Sequence, residues 1–141
     1  MSWTYNGNPI EEIDDKYLAF VYLITNLETN KKYIGLKTTK SSKTTVKTVV
    51  NKLGEKVKKK KRIKVESDWR NYWSSSEQLK KDIELFGKDN FKREILYFCI
   101  NKGTANYLEA REQFDKRVLE NPDEWYNGII NCRVHWSHVK L

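Results

Sequence analysis

Tyr17-Leu18-Ala19-Phe20-Val21-Tyr22-Leu23-Ile24-Thr25, then a polar turn over residues 26–30, then Lys32-Tyr33-Ile34-Gly35-Leu36: this stretch decides how the chain folds. The first segment is an unbroken run of aliphatic, aromatic and β-branched residues, the pattern of a central strand. The turn is short enough to bring the second segment back beside it as a hairpin.

Beyond the hairpin, residues 38–66 form a lysine- and threonine-rich insertion. Its patches at 45–50 and 56–65 either pair as a basic β-ribbon or stay mobile; the sequence does not separate the two. Ser74-Ser75-Ser76 ahead of Glu77-Gln78 carries a capping-box signature for a helix start. Leu79, Ile83 and Phe86 recur at helical spacing, and Gly87 supplies the stop. Residues 91–100 read as a third apolar strand. Thr104 or Asn106 caps a second helix, with an apolar stripe Ala110, Phe114 and Val118 that Asn121-Pro122 closes. Residues 125–134 are irregular or a short strand. The order β-β-insertion-α-β-α, without repeats, predicts an α/β (α+β) fold: a small three-stranded antiparallel sheet flanked by helices, one domain over 1–141.

Five Trp and eight Tyr in 141 residues mark a globular chain. No apolar run approaches a membrane span, and the first nine residues do not resemble a signal peptide. Two cysteines, Cys99 and Cys132, are too few for a disulfide framework, so a reducing cytoplasm is expected, with both thiols as small buried hydrophobes. The formal charge is +8, and its location matters more than its size. Lys52, Lys56, Lys58, Lys59, Lys60, Lys61, Arg62 and Lys64 are opposed within 51–64 by Glu55 alone. That run lacks the apolar face a membrane surface requires, so a polyanion bound by counterion release is the expected partner.

Other chemistries find little support. There is no glycine-rich phosphate loop and no serine–histidine pairing to assemble. Cys132, His135 and His138 offer three ligands where zinc wants four, and these are the chain's two histidines; His135 is expected to pack or to approach DNA. Trp69, Tyr72 and Trp73 either stack on bases or fill the core. Tyr22 and Tyr33, on adjacent strands, read in isolation as cross-strand packing partners. Their setting adds more: Gly35 permits close backbone approach to a ligand, a basic cluster follows, and acids sit on a later helix.

Phe20-Val21-Tyr22, Tyr33-Ile34-Gly35, the segment from Asp68 through Tyr72 to Ser75 with Phe86-Gly87-Lys88-Asp89-Asn90-Phe91, then Tyr107-Leu108-Glu109-Ala110 and Tyr126-Asn127, occur in an order that resembles the GIY-YIG nuclease superfamily, in particular its phage-encoded, Seg-like homing-endonuclease members. The second triplet is intact; the first keeps its tyrosine and has Phe20 for the leading glycine. The resemblance implies a metal-dependent DNA endonuclease, from a phage or mobile element acting in the bacterial cytoplasm, with one divalent ion (Mg2+ or Mn2+) held by Glu109. Glu112, one helical turn on, is the alternative ligand, and periodicity does not choose between them. Tyr33 or Tyr22 would orient or deprotonate the attacking water, with Lys37, backed by Lys40, lowering the phenol's pKa. Asn127 would hold phosphate or brace the site. The family's arginine is replaced at its usual place by Lys37, Lys40 and Lys43, leaving Lys37, Arg70 or Arg62 for its role; a lysine lacks the bidentate fork. Lys40, Lys56, Lys58, Lys59, Lys60, Lys61, Arg62 and Lys64 are the expected contacts to double-stranded DNA. With the chain closing soon after Tyr126-Asn127, target recognition is expected to come from the insertion or from dimerisation, or to be weak, with the protein a monomer or homodimer. The competing expectation is a catalytically silent nucleic-acid-binding module of the same fold.

Overall fold

A computed structural model describes residues 2–141. The chain starts with two short strands, β1 (Trp3–Tyr5) and β2 (Asn8–Pro9), and continues with β3 (Ala19–Asn26) and β4 (Lys32–Thr38). A long hairpin follows, β5 (Lys40–Val50) and β6 (Lys56–Glu66), then α1 (Glu77–Phe86), β7 (Phe91–Cys99) and α2 (Lys102–Asp115). The main sheet has the order β2-β1-β7-β3-β4, and β5 and β6 form a separate two-stranded sheet.

The expected three-stranded sheet is therefore a five-stranded one. The additions come from the N-terminus, where β1 runs parallel to β7 and β2 folds back on β1. Asn6-Gly7 makes that turn with both φ angles positive, at 50° and 82°, the backbone that an Asn-Gly pair adopts in a tight hairpin. This signal stood in the sequence beside Trp3-Thr4-Tyr5, but the strands are two and three residues long and carry no periodicity. Trp3 anchors them: it is buried, and its indole N–H donates to the Trp69 carbonyl at 2.7 Å.

β3 is an interior strand, between β7 and β4, and is buried on both faces, which is why its apolar run shows no alternation. Phe20, Tyr22 and Ile24 face α1 through Leu79 and Ile83. Ala19 and Val21 face α2 through Ala105 and Leu108. Phe20 stands where the family's glycine would be, and its ring lies edge-on to Trp3 and Trp69, 5.1 and 6.3 Å between centroids. The departure is thus core filling. Between Val21 and Tyr22 the pairing with β7 slips by a residue, a bulge next to the first tyrosine of the site.

α1 starts as predicted, with Ser76 Oγ accepting from the Leu79 N–H and Gly87 as its cap at φ 87°. α2 departs in two respects. Asn101, rather than Thr104 or Asn106, is its N-cap, accepting from the Thr104 N–H at 2.8 Å. Its expected stripe holds in part: Ala110 and Val118 are buried, Val118 in a 3-10 turn beyond the helix end at Asp115, but Phe114 is 65% exposed, and the buried face of the helix runs through Thr104, Ala105, Leu108, Ala110 and Gln113. The error came from weighting apolar side chains on a helix whose inward face carries small and amide residues. Cys132 is exposed, against expectation, while Cys99 is buried. Trp69 is core, and Tyr72 and Trp73 are half-buried against it.

Candidate active site

Tyr22 and Gly35 face one another across the β3–β4 ladder. A methyl at Gly35 would lie 2.5 Å from the Tyr22 hydroxyl, 2.6 Å from its Cζ and 2.8 Å from Cε1 of Tyr33. The Tyr-Ile-Gly triplet thus has a steric reason, because only a bare Cα lets the Tyr22 ring cross β4. The two tyrosine rings sit 6.1 Å apart, and Tyr72 meets Tyr22 edge-on at the same separation. Burial holds the Tyr22 phenol well above its usual pKa; the charges of Tyr33 and Tyr72 and a hydrogen bond with Tyr72 add to the rise, and a Ser74 hydrogen bond opposes it. Tyr33 is also raised, first by burial, with Glu109 adding and a Ser75 hydrogen bond opposing.

β4 is the sheet edge, and the chain near residue 126 covers it. Lys32 N–H donates to the Glu124 carbonyl at 2.9 Å, and the Tyr126 N–H donates to the Lys32 carbonyl at 2.8 Å. Asn127 continues this with its side chain, accepting from the Ile34 N–H at 3.0 Å and donating to the Ile34 carbonyl at 2.8 Å. Of its two expected roles, the structure shows the bracing one. Tyr126 donates to Asp82 on α1 at 2.7 Å and accepts from the buried Asn26 amide at 3.1 Å.

α2 lies across the other face, yet residues one turn apart on its flank reach round the edge of β4. Gln113 donates through Nε2 to the Ile34 carbonyl at 3.1 Å. Glu109 enters the same open cleft, of about 370 Å³, lined also by Tyr33, Ser75, Tyr126 and Asn127. Burial pushes the Glu109 carboxyl up to about 7, as expected for an acid without a nearby cation. Glu112 points elsewhere and accepts from the Tyr97 hydroxyl at 2.6 Å. The helix thus delivers one glutamate to the cleft, and it is Glu109.

The other expected participants are dispersed. Lys37 places Nζ 2.6 Å from Asp68 and 4.2 Å from the Tyr72 ring centroid. It borders the tyrosine cluster, but neither Tyr22 nor Tyr33 is lowered in pKa. Arg70 does not reach the cleft: it pairs with Glu12 and Glu66, donates to the Glu11 carbonyl and stacks on Trp69. Acids in the N-terminal segment and at the end of β6 capture it. Lys40 is held by Asp15. Lys56, Lys58, Lys59, Lys60, Lys61, Arg62 and Lys64 all lie on β6, exposed, in a ribbon that settles the choice between pairing and mobility. Among the described residues no Lys or Arg lines the cleft, and no group of three or more His, Cys, Asp or Glu is arranged to hold a metal. His135 and His138 sit 6.0 Å apart between ring centroids on an exposed turn.

Sequence reasoning missed Gln113, Ser75 and Arg93. Gln113 follows Glu109 by one turn, a spacing that places both on one flank. Arg93, buried, is sandwiched between Trp3 and Trp73 and donates to the carbonyls of Arg70 and Tyr72 at 3.2 and 2.8 Å. It fixes the segment that carries Tyr72, and burial lowers its pKa to about 10.

A helix-flanked sheet with paired tyrosines and a glutamate meeting at one edge strand defines a class, that of the GIY-YIG nuclease domains. Residues 3–130 match the family described as "Putative endonuclease segE, GIY-YIG domain", and the chain belongs to that family, the Seg-like branch of the GIY-YIG superfamily. No curated protein and no solved structure matches it. Membership marks it as an endonuclease domain, for which the substrate is a nucleic acid. Among the described residues no helix is long and apolar enough to cross a membrane.

Proposed function

We propose that this protein hydrolyses phosphodiester bonds in double-stranded DNA, with Glu109 as the ligand of one Mg2+ or Mn2+ ion. The observation that carries the reading is the convergence of Tyr33 and Glu109, from different layers of the fold, on one cleft beside an edge strand. The donor set fits such an ion. Glu109 is a single carboxylate raised in pKa by burial, and Gln113 Oε1 is buried without a hydrogen-bond partner. Magnesium takes oxygen ligands, needs one or two carboxylates and keeps much of its water. When bound, it would supply positive charge beside the phosphoryl oxygens and the departing sugar oxygen.

The chain's own residues do the rest. Water adds to phosphorus and releases a proton to solvent, the bond from phosphorus to the sugar oxygen breaks, and that oxygen takes up a proton from solvent. Tyr33, raised in pKa, works as a neutral phenol whose hydroxyl, beside Ser75, holds and orients the water. Tyr22, locked over Gly35, fixes the ring of Tyr33. Asn127 and Gln113 keep the edge strand at the distance this geometry requires, and Lys37 lends positive charge near Tyr72. Cations on one face of β6 contact the phosphate backbone, positioning the duplex without specifying its sequence. Phage or mobile-element origin accords with the Seg-like family.

A supercoiled plasmid is expected to be nicked in magnesium and left intact in EDTA. The absence of an arginine from the cleft favours the second reading, a silent binding module, which predicts salt-sensitive DNA binding with no metal-dependent scission.

A further inference from the structure

The β5–β6 ribbon has two chemically different faces. Its register sets Ser42 against Lys64, Thr44 against Arg62, Val46 against Lys60 and Thr48 against Lys58. Alternation puts all of these on one side. There Lys56, Lys58, Lys60, Arg62 and Lys64 stand in single file, about 6.7 Å apart, and each faces a short uncharged side chain of β5. Every residue of this face from 42 to 50 and from 56 to 64 is exposed. The opposite face mixes Lys43, Lys47, Lys59 and Lys61 with Val49, Val57, Ile63 and Val65, and its apolar members are half-buried.

The segment from 40 to 66 carries eleven Lys and Arg against Glu55 and Glu66, a net +9, which leaves the rest of the chain at −1. A two-stranded ribbon without a covering layer is marginal in water, and the cation file repels itself. A polyanion on that file relieves both costs. The dimensions select the kind. Eleven residues per strand at about 3.3 Å reach roughly 36 Å, one turn of duplex, and a two-stranded ribbon fits a major groove about 12 Å wide. The major groove of A-form RNA is too deep and narrow to admit it.

We propose that the ribbon enters the major groove of B-form DNA by its Thr44–Val46–Thr48 face. The β6 file follows one phosphate strand, and the β5 row meets base edges. Threonine hydroxyls hydrogen-bond to any base, and the methyl groups of Thr and Val contact thymine methyls. This deepens the nuclease reading and rests on its nucleic-acid substrate.

The test is salt-dependent binding of the full chain to a labelled DNA duplex in EDTA. Wild type is compared with two variants that lose the same charge. One is Lys58→Thr, Lys60→Thr, Arg62→Thr; the other is Lys47→Thr, Lys59→Thr, Lys61→Thr. Threonine suits strands, and unchanged thermal melting verifies folding in both. If all three cations touch phosphate, the first variant's slope of log affinity against log salt is shallower by about 2.7, so a fourfold salt rise weakens it about 40-fold less than wild type. The second is expected to keep a slope within about 1 of wild type. Equal losses in both variants, or duplex RNA competing as well as DNA, would overturn the placement. Because EDTA removes cleavage, the two readings fail separately. Metal-dependent scission without face asymmetry overturns the ribbon placement alone; asymmetry without scission keeps the placement and removes the nuclease.

Discussion

Gly35→Ala tests the geometry of the site at its tightest point. The new methyl would stand 2.5 Å from the Tyr22 hydroxyl and 2.8 Å from Tyr33 Cε1, roughly an ångström inside ordinary carbon contact. Neither ring has easy escape: Tyr22 is 1% exposed, edge-on to Trp3 at 5.2 Å and to Tyr72 at 6.1 Å. Overpacking of this kind costs about 1–3 kcal/mol, and an ångström of misplacement at a reacting centre lowers rates by about 100-fold. Denaturant unfolding should therefore show a loss near 2 kcal/mol, and plasmid nicking should fall by two orders of magnitude. Tyr22→Phe, added to Gly35→Ala, relieves the hydroxyl contact but not the 2.6 Å contact at Cζ, so partial recovery of stability is expected. Gly128→Ala is the control, since nothing lies within 4 Å of its new methyl, and its stability should stay within about 0.5 kcal/mol of wild type. Wild-type stability and nicking in Gly35→Ala would refute the argument that the triplet's glycine exists for the Tyr22 crossing.

Three further outcomes follow from the same structure. Glu109 is raised to about 7 in the fold, so the folded state binds its proton more tightly than the unfolded chain. The metal-free protein keeps its stability below pH 4.5 and loses it progressively up to pH 7, by at most roughly 3 kcal/mol before screening at a partly exposed side chain reduces it. Glu109→Gln should therefore raise the melting temperature in EDTA at pH 8 and leave it unchanged at pH 4, whereas an equal shift at both would refute the burial argument. Phe20→Ala should cost about 3–5 kcal/mol in denaturant unfolding, as for a large core ring, and a cost under 1 would mean Phe20 is not core. Asn127→Ala leaves the Ile34 N–H without its acceptor, while Gln113 still serves the carbonyl; a loss of about 1–3 kcal/mol is expected, and none if Asn127 serves only to hold substrate.

The central hairpin, α1 and β7 were legible because burial writes itself into runs and periodicity: β3 is apolar throughout, and Leu79 and Ile83 carry the α1 face. The β1–β2 hairpin was not, because its strands are too short for a pattern and their stability comes from Trp3 buried against Trp69, 66 residues away. α2 was misread for a related reason. Its inward face carries one large aliphatic, Leu108, among Thr104, Ala105, Ala110 and Gln113, and Phe114 faces solvent. At the site, the tyrosines, Asn127 and Glu109 came from motif order; helical periodicity left Glu112 open, and the rotation of α2 about its axis turns Glu112 to the Tyr97 hydroxyl. Arg70 shows the limit from the other side. An arginine beside a tryptophan looked available for phosphate, and the carboxylates of Glu12 and Glu66 together with the Glu11 backbone carbonyl turned it away.

Nicking of supercoiled plasmid by Glu109→Ala and Glu112→Ala, side by side with the unaltered chain in magnesium and in EDTA, bears most directly on the account. Scission that requires the metal, disappears in Glu109→Ala and persists in Glu112→Ala is the predicted result. Scission that survives Glu109→Ala, or is absent from the unaltered chain on DNA it binds, would contradict it.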